Sequence, residues 1–466
     1  MARILLVKAG HLTPANPRVT FPLGIMSLAS VLRNRGHEVV LADTRIGQDP
    51  VDTARRFNPQ IVGISALTVE AYSLYRIAKE MKSLSKAPQV IAGGPHPTSF
   101  PEEVLADPNI DCLTLGEGEG TFPELVEALE AGQGLSAIKG VVFRENGTIS
   151  FTEPRPHIQD LDSLPFPSWD LVDLPLYFQR DSMASVGLRP YMNIFTSRSC
   201  PYRCIYCHDI FGKGFRARGP ENVIAEMEAL ISRYGIRDFE VLDDVFNLDS
   251  KRVHRILDLI LRKGIKLHLS FPNGLRTDKL EEDLLEKLKN AGVNHLSIAV
   301  ETASPRLQKL IRKNLNLEKV REAISQCSRL GIFTRGFFML GFPTETEEEM
   351  RETIRFAVES DLHTALFFIV IPFKGTQLYE IYKEELKRRT IQKGGSERFT
   401  DYDYFDGTFN LSRVGDRTLF SLQRKAFRLF YLNPKRIYRI IRTFPGPLSH
   451  FLRYTYPVWW RFSRLP

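Results

Sequence analysis

Three of the five cysteines in this 466-residue chain fall within eight positions, as Cys200-Pro-Tyr-Arg-Cys204-Ile-Tyr-Cys207, directly after an apolar run. An odd number of thiols this close together makes a poor disulfide framework, because such short loops gain little from a cross-link. As thiolates, three cysteines can hold a [4Fe-4S] cluster by three of its irons and leave the fourth iron open for chemistry. Two other readings use the same residues. One is a structural zinc with His208 as fourth ligand, although such sites usually show two paired ligand sets. The other is a chance grouping in a reduced protein. The two remaining cysteines read as small core residues: Cys327 shares a helical face with Val320, Ala323 and Ile324, and Cys112 opens the short apolar strand Cys112-Leu-Thr-Leu115.

The elements that must position this triplet are a strand before it and further strands around it. From Tyr191 onward, apolar strands alternate with helical patterns: Tyr191–Ser197, Phe239–Leu242, Leu267–Phe271, His295–Val300, Thr334–Leu340 and Leu366–Ile371. Between the first two, Asn222–Tyr234 reads as a helix stopped by Gly235. Six such repeats suit an open (β/α)6 barrel, whose active site lies at the carboxyl ends of its strands. The cysteine loop follows the first strand. The next ends are polar: Asp243-Asp244, then Asn273-Gly274-Leu-Arg276, then Glu301-Thr302 with Arg312-Lys313 beyond, then Gly341-Phe-Pro343-Thr344-Glu345, then Pro372-Phe-Lys-Gly375-Thr376.

In barrel order after a triplet that carries Tyr206 before its last cysteine, these segments resemble the radical S-adenosylmethionine superfamily from residue 191 to about 380. The resemblance implies that Cys200, Cys204 and Cys207 ligate the cluster. It implies that the nucleotide chelates the open iron, and that electron transfer yields a 5′-deoxyadenosyl radical. By the same resemblance Tyr206 packs by the adenine and Glu301 accepts from the ribose hydroxyls, a carboxylate's natural task. Asp243 and Asp244 fall where the family contacts the methionine ammonium. Asn273 and Arg276 reach the nucleotide or the substrate, Arg276 suiting a carboxylate.

The first 150 residues also alternate strand and helix. Strands read at Ile4–Val7, Val39–Ala42, Ile61–Ile64, Gln89–Gly93 and Cys112–Leu115, with helical patterns at Leu23–Leu32 and Val69–Leu84. This predicts a doubly wound, Rossmann-like parallel sheet with ligands at the strand carboxyl ends. Val141–Phe151 reads as a hairpin around Asn146-Gly147. Phe21-Pro-Leu-Gly24, Gly93-Gly-Pro-His96 and Gly116-Glu-Gly-Glu119 are similar to the cobalamin-binding domain that precedes many radical enzymes, over residues 1–145. That resemblance makes Ser65, Gly93, Gly94, Pro95, His96, Gly116, Glu117 and Gly118 the candidate cobalamin contacts. The Asp-x-His-x-x-Gly element of classical cobalamin domains is missing. The only Asp-x-His is Asp361-Leu-His363, with Leu366 where glycine belongs. A domain that only shapes the substrate cleft stays open as the alternative.

Four segments follow: a cobalamin-type domain over 1–150, a Pro- and Asp-rich strap over 151–190, a barrel over 191–390, and a basic, aromatic, helical tail over 391–466. From Arg413 onward the chain holds twelve Arg or Lys, one acid (Asp416) and twelve aromatics, a net +11 against +8 for the whole. The basicity belongs to the tail. Segments such as Lys435–Arg442 and Phe451–Trp460 interleave cations with bulky apolar groups, a pattern suited to anionic bilayer surfaces or to a helical cap, with nucleic acid disfavoured by the enzyme core. Hydrophobic content of 43% and charge of 25% are ordinary for a soluble protein. Met1–Val7 is too short for a secretory signal and no 18-residue uncharged apolar run occurs, so a reducing cytoplasm is the expectation, with peripheral membrane contact through the tail.

The enzymes so resembled commonly methylate unactivated carbon or phosphorus centres. The functional expectation is therefore a cobalamin-dependent methyltransferase acting on a small-molecule or lipid substrate, fed by an external electron donor. Radical ring formation or rearrangement without methyl transfer is the first alternative. A cluster- or cobalamin-based sensor is the second.

Overall fold

The computed structural model describes residues 1–12, 18–392, 410–446 and 449. These residues form two compact units. The first holds residues 1–180 together with 210–217; the second holds 181–209, 218–392 and the C-terminal residues from 410 on.

The first unit is built on β1 (Arg3–Lys8), β2 (Glu38–Asp43), β3 (Ile61–Ser65), β4 (Gln89–Gly93), β5 (Cys112–Thr114), β6 (Val141–Glu145) and β7 (Thr148–Phe151), in sheet order β2-β1-β3-β4-β5-β6-β7. The first five strands are parallel, and the expected hairpin β6–β7 adds antiparallel to β5. Strand β1 is apolar on both faces because both are covered. Ile4 and Leu6 pack under α1 (Leu23–Asn34), while Leu5 and Val7 share the other core with Leu74 and Ile77. Those two lie on α3 (Ala71–Lys82), which follows α2 (Pro50–Phe57). Short helices α4 (Pro95–Ser99) and α5 (Pro101–Leu105) and the longer α6 (Gly118–Glu130) complete the two layers. Strand order reverses between β1 and β3, the switch point at which such sheets open a crevice.

Residues 151–190 are divided between the units. Up to Arg180 they belong to the first: Trp169, and Tyr177 on α7 (Leu174–Phe178), pack on Phe21 at 4.9 and 4.2 Å between ring centroids, and Ser168 hydrogen-bonds Ser30 at 2.7 Å. From Asp181 they belong to the second, where Arg335 donates to the carbonyls of Met183 and Ala184.

The second unit contains β8 (Met192–Ile194), β11 (Asp238–Val241), β12 (His268–Phe271), β13 (Val293–Glu301), β14 (Phe333–Leu340) and β15 (Thr364–Ile369). They form one all-parallel sheet in sequential order, with no pairing of β15 to β8, the open (β/α)6 arrangement. The two-residue strands β9 (Ser197–Arg198) and β10 (Arg216–Ala217) flank the cysteine loop in sequence. Outer helices are α8 (Pro220–Tyr234), α9 (Ser250–Arg262), α10 (Glu282–Asn290), α11 (Pro305–Leu310), α12 (Leu317–Arg329), α13 (Glu347–Glu359) and α14 (Gln377–Gln392). Gly235, at φ 68°, ends α8 as its position in the sequence requires.

The described part of the basic tail forms two helices built into this layer. Leu419, Leu422, Ala426, Phe427 and Phe430 of α15 (Asp416–Tyr431) join the core over β14 and β15. On α16 (Pro434–Thr443), the buried Arg436 donates to the carbonyls of Ala357, Val358, Ser360 and Leu362, closing the carboxyl end of α13. Phe451–Trp460 lies outside the described residues.

Candidate functional site

The cysteine loop leaves the first barrel strand under tight control. Asp243, at the end of β11, accepts from the Thr196 amide (2.6 Å) and from the hydroxyls of Thr196 and Ser197 (2.6 Å for Ser197). Burial nonetheless pushes its carboxyl up from the ordinary value. Ser199 then turns the chain at φ 76°. Inside the loop, Ile205 is anchored between the Ile311 carbonyl (3.1 Å) and the Leu378 amide (2.7 Å), and its side chain packs with Leu307, Ile311, Phe342 and Val370. Cys200 and Cys204 are half-buried and Cys207 is exposed. Among the described residues no three His, Cys, Asp or Glu side chains converge as ligands of one metal ion do.

Beside the loop stands a buried polar triad. Glu301 closes β13 at a register shift against β14 and takes φ 66°, a conformation that costs a non-glycine residue and clusters at functional sites. The bulge aims its carboxylate at Tyr206, whose hydroxyl donates at 3.2 Å, and at Lys313, whose ammonium donates at 2.9 Å. Lys313 also reaches the Tyr206 hydroxyl at 3.4 Å. Burial, with the Glu301 carboxylate beside it, raises the Tyr206 phenol well above its ordinary value, so it stays a donor. The Tyr206 ring lies 6.1 Å from Phe342. The triad presents an acceptor, a cation and an aromatic face next to the thiols.

Arg276 is engaged by the protein itself. Its guanidinium donates to Asp278 (2.7 Å) and to the carbonyls of Lys313 (2.9 Å) and Asn314 (3.1 Å), and covers the Tyr202 ring at 4.2 Å. It therefore holds the 312–314 turn, where Arg312 and Asn314 both have positive φ, and through it positions Lys313. Asn273 donates to the Leu242 carbonyl at 2.8 Å, tying two strand ends together, and Asp244 is exposed beside Asp243. The sequence-predicted set thus divides. Cys204, Tyr206 and Glu301 come together, while the side chains of Asp243 and Arg276 hold backbone. Lys313 completes the triad and was not among the predicted contacts. Its signal is a basic residue twelve positions after Glu301, visible once the intervening helix α11 is known.

In the first unit, the loops after β3, β4 and β5 form a backbone shelf. The Ala66 amide donates to the Gly93 carbonyl (3.3 Å), the His96 amide to the Ala66 carbonyl (3.0 Å), and the Gly116 amide to Thr98 Oγ1 (3.0 Å). A Cβ on Gly93 would lie 2.7 Å from Thr114 Oγ1, and one on Gly94 (φ 88°) 2.7 Å from Ser65 Oγ, so these two glycines let the loops close on each other. Gly116, at φ 69°, has nothing within 4 Å of where a Cβ would stand, which leaves the shelf open for a large flat ligand. Pro95 opens α4 and Gly118 opens α6. This shelf fits a cobalamin edge. Two expected contacts do not face it. The His96 imidazole is buried against Tyr75 (Nε2 to hydroxyl 3.4 Å) and Phe100, because its helix turns it into the core. The buried Glu117 carboxylate accepts from Arg216 and from the Ile158 amide, all at 2.8 Å, and so fastens the strap and residues 210–217 to this unit.

With this geometry in view, comparisons with known proteins place the chain. Residues 194–357 match the radical SAM superfamily model and residues 17–126 the B12-binding domain model. The chain is 35% identical to the uncharacterized methyltransferase PH0819 of Pyrococcus horikoshii over 89% of its own length and 88% of the relative's. It is 28% identical to the cytidylyl-2-hydroxyethylphosphonate methyltransferase of Streptomyces wedmorensis, covering 81% and 82% of the two chains. It is 26% identical to an anaerobic magnesium-protoporphyrin IX monomethyl ester cyclase of Synechocystis, covering 90% and 83%. Among solved structures, the cobalamin- and cluster-bound radical S-adenosylmethionine methyltransferase TsrM of Kitasatospora setae shares the fold at a TM-score of 0.69 and 20% identity, over 83% of this chain and 75% of that one. The domain pair, the cysteine loop and the similarity to PH0819 agree: the chain belongs to the B12-binding radical S-adenosylmethionine enzymes, with a [4Fe-4S] cluster, S-adenosylmethionine and cobalamin as its cofactors.

Proposed function

We propose that this enzyme transfers a methyl group to an unactivated carbon of a small-molecule substrate. When bound, the cofactors would supply the hydrogen abstraction from the substrate and the methyl group. The chain's own residues bind and orient. Cys200, Cys204 and Cys207 would hold the cluster, which would anchor the nucleotide when bound. Glu301 accepts from the ribose hydroxyls, Lys313 offers its charge to the nucleotide carboxylate, and Tyr206 gives the adenine a face. Arg276, Asn273 and Asp243 are positioning residues that keep Lys313 and the loop in place. Ser65, Gly94 and Gly116 shape the shelf for cobalamin. The buried Tyr206–Glu301–Lys313 triad beside the cysteine loop is the observation that carries this reading.

The test is anaerobic reconstitution with iron, sulfide and hydroxocobalamin, then assay of both nucleotide products under chemical reduction. Deoxyadenosine together with S-adenosylhomocysteine is the expected result. Deoxyadenosine alone would favour ring formation, which the cyclase relative keeps in play. Absence of both products would sink the enzymatic reading.

A finer part of the proposal is contact with an anionic membrane surface. Among the described residues no helix is long and apolar enough to cross a membrane. The support for surface contact is a stripe along α15 and α16: Leu429, Leu432, Ile437, Tyr438 and Ile441 are exposed, Tyr438 by 65%. Lys425, Arg428, Lys435 and Arg442 flank it, exposed as well, and no acid occurs from 417 to 446. Flotation with phosphatidylserine-containing vesicles checks it; Ile437→Glu with Ile441→Glu should abolish co-flotation. Truncation is the blunter tool, because α15 belongs to the core.

A further inference from the structure

Nine residues beyond Cys207 stands Arg216, on a segment that leaves the barrel unit. Residues 210–217 belong to the first unit, whereas 181–209 and the chain from 218 belong to the second. The chain that carries the three cysteines thus departs from its own unit at Ile210 and returns at Arg218. Arg216 organises the excursion. Its Nη1 donates to both Glu117 carboxylate oxygens at 2.8 Å and to the Ile158 carbonyl at 2.7 Å. Its Nη2 donates to the Phe211 carbonyl at 3.2 Å and its Nε to the Gly214 carbonyl at 3.4 Å. Both charges are sealed from solvent, the Arg216 side chain being 5% exposed and that of Glu117 3%. Gly212, at φ 72°, comes so close to the strap that a Cβ there would lie 2.9 Å from His157 Nε2. Glu117 itself lies between Gly116 and Gly118, in the shelf loop after β5. One buried ion pair therefore joins the backbone that borders the shelf to the segment behind the cysteine loop.

The returning end is held as firmly, at the start of the same loop. The Arg218 amide donates to the Thr196 carbonyl at 2.9 Å, and its guanidinium donates to the Phe195 carbonyl at 2.9 Å and to Asn222 Oδ1 at 2.7 Å. Arg252 donates to the carbonyls of Arg218 (2.8 Å) and Thr196 (2.6 Å). Thr196 is the residue that Asp243 fixes where the cysteine loop begins. Only Ala217 separates the residue anchored on Glu117 from the residue anchored on Thr196. Two residues span about 7 Å at most, so a shift of the Glu117 loop meets little slack before it reaches Thr196. A sealed ion pair adds little net stability over apolar packing; what it adds is one arrangement in preference to others.

We propose that Glu117 and Arg216 are positioning residues that latch the shelf to the cysteine loop along the chain, so that cobalamin and S-adenosylmethionine each tighten the binding of the other. The inference rests on the assignment of the shelf and the cysteine loop under the proposed function, and adds their regulation of one another. Cobalamin on the shelf would restrain the backbone of Gly116–Gly118, and the nucleotide would restrain the cysteine loop. Both favour the latched arrangement over one in which Arg216 has left Glu117. Such a coupling is reciprocal by thermodynamic necessity.

The test is a pair of anaerobic titrations on the full-length, cluster-reconstituted enzyme, without reductant so that nothing turns over. S-adenosylmethionine is dialysed to equilibrium with and without saturating hydroxocobalamin, and hydroxocobalamin with and without saturating S-adenosylmethionine. In the wild type each ligand should tighten the other by the same factor, about fivefold or more. Arg216→Met should bring that factor to about one while each ligand still binds alone. Glu117→Gln combined with Arg216→Met should do the same, and it leaves no charge buried alone, so it serves if the single variant fails to fold. Arg216→Lys keeps the charge without the planar fork and should retain part of the factor. Arg33→Met, which breaks the contact of Arg33 with Asp170 of the strap, should leave the factor unchanged. Hydrogen exchange gives a readout free of both ligands: the amides of residues 196–207 should exchange faster in the Arg216→Met variants than in Arg33→Met. Equal exchange overturns the link along the chain. A factor that survives in the double variant overturns the latch and assigns the coupling to contact between the ligands themselves. Binding of both ligands to the wild type without coupling overturns the latch alone. Failure of either ligand to bind the wild type overturns the assignment of its site, and the latch with it.

Discussion

At the scale of single residues, the proposed site rests on a carboxylate and an ammonium that are each mostly buried and pair with each other and with Tyr206. Hydrogen bonds to a charged group are worth about 1.5–3 kcal/mol, so Glu301→Gln should weaken S-adenosylmethionine binding by about tenfold or more. Equilibrium dialysis with the labelled nucleotide measures it directly; an unchanged affinity would remove Glu301 from the ribose role. A second residue-scale expectation concerns acid. Burial holds the His363 imidazole down to about 3, against about 6.5 in the unfolded chain, while its Nδ1 accepts from Thr334. Below pH 6.5 the unfolded chain takes up a proton that the folded one refuses. The contribution is therefore intact above pH 6.5 and is lost as pH falls toward 3, by up to about 1.4 kcal/mol per pH unit. Urea midpoints at pH 7 and pH 5 should differ less in His363→Gln, whose amide can still accept from Thr334 and does not titrate.

At the scale of elements, function sits in loops whose geometry is imposed by strand ends. Gly116 shows how a loop residue can be tested apart from the fold. A Cβ there has no protein atom within 4 Å but the residue must adopt a left-handed φ, a cost of about 1 kcal/mol. Gly116→Phe should thus leave the unfolding midpoint nearly unchanged yet reduce cobalamin retained after gel filtration, read from its visible absorption. Gly94→Ala differs, because the added carbon would press on Ser65 at 2.7 Å; it should lower stability as well as retention. The carboxyl end of α13 offers a control far from chemistry. Arg436 satisfies four carbonyls there, so Arg436→Met should destabilise the protein by about 2 kcal/mol or more in denaturant unfolding.

At the scale of the molecule, each unit has its own core. The first buries two apolar layers on either side of β1, and the second encloses its strands under α12, α13 and α15. The residues proposed for the cluster and for cobalamin fall in different units, so their losses should separate. Replacing Cys200, Cys204 and Cys207 together by alanine should abolish deoxyadenosine formation while leaving cobalamin retention and the unfolding midpoint close to wild type. Loss of cobalamin from that variant would show that the cluster loop supports the first unit.

What the amino-acid sequence determined by itself is whatever depends on neighbours along the chain. The period-two and period-3.6 apolar patterns located the strands and helices of both units, since each strand is buried by its own residues' chemistry. The Cys200–Cys207 spacing and the glycines after β4 and β5 were legible because short spacings fix short-range geometry. What only tertiary structure decided is how a polar side chain is used. Arg276 and Asp243 carry the right chemistry for a ligand, yet the first holds the Lys313 turn and the second the Thr196–Ser197 turn. His96 follows two glycines as an exposed loop residue would, but its helix turns it inward onto Tyr75. Lys313 and Glu301 are twelve positions apart in sequence and 2.9 Å apart in space. A carboxylate's or guanidinium's partner is chosen by distance in three dimensions, and no pattern of types along one dimension records that distance.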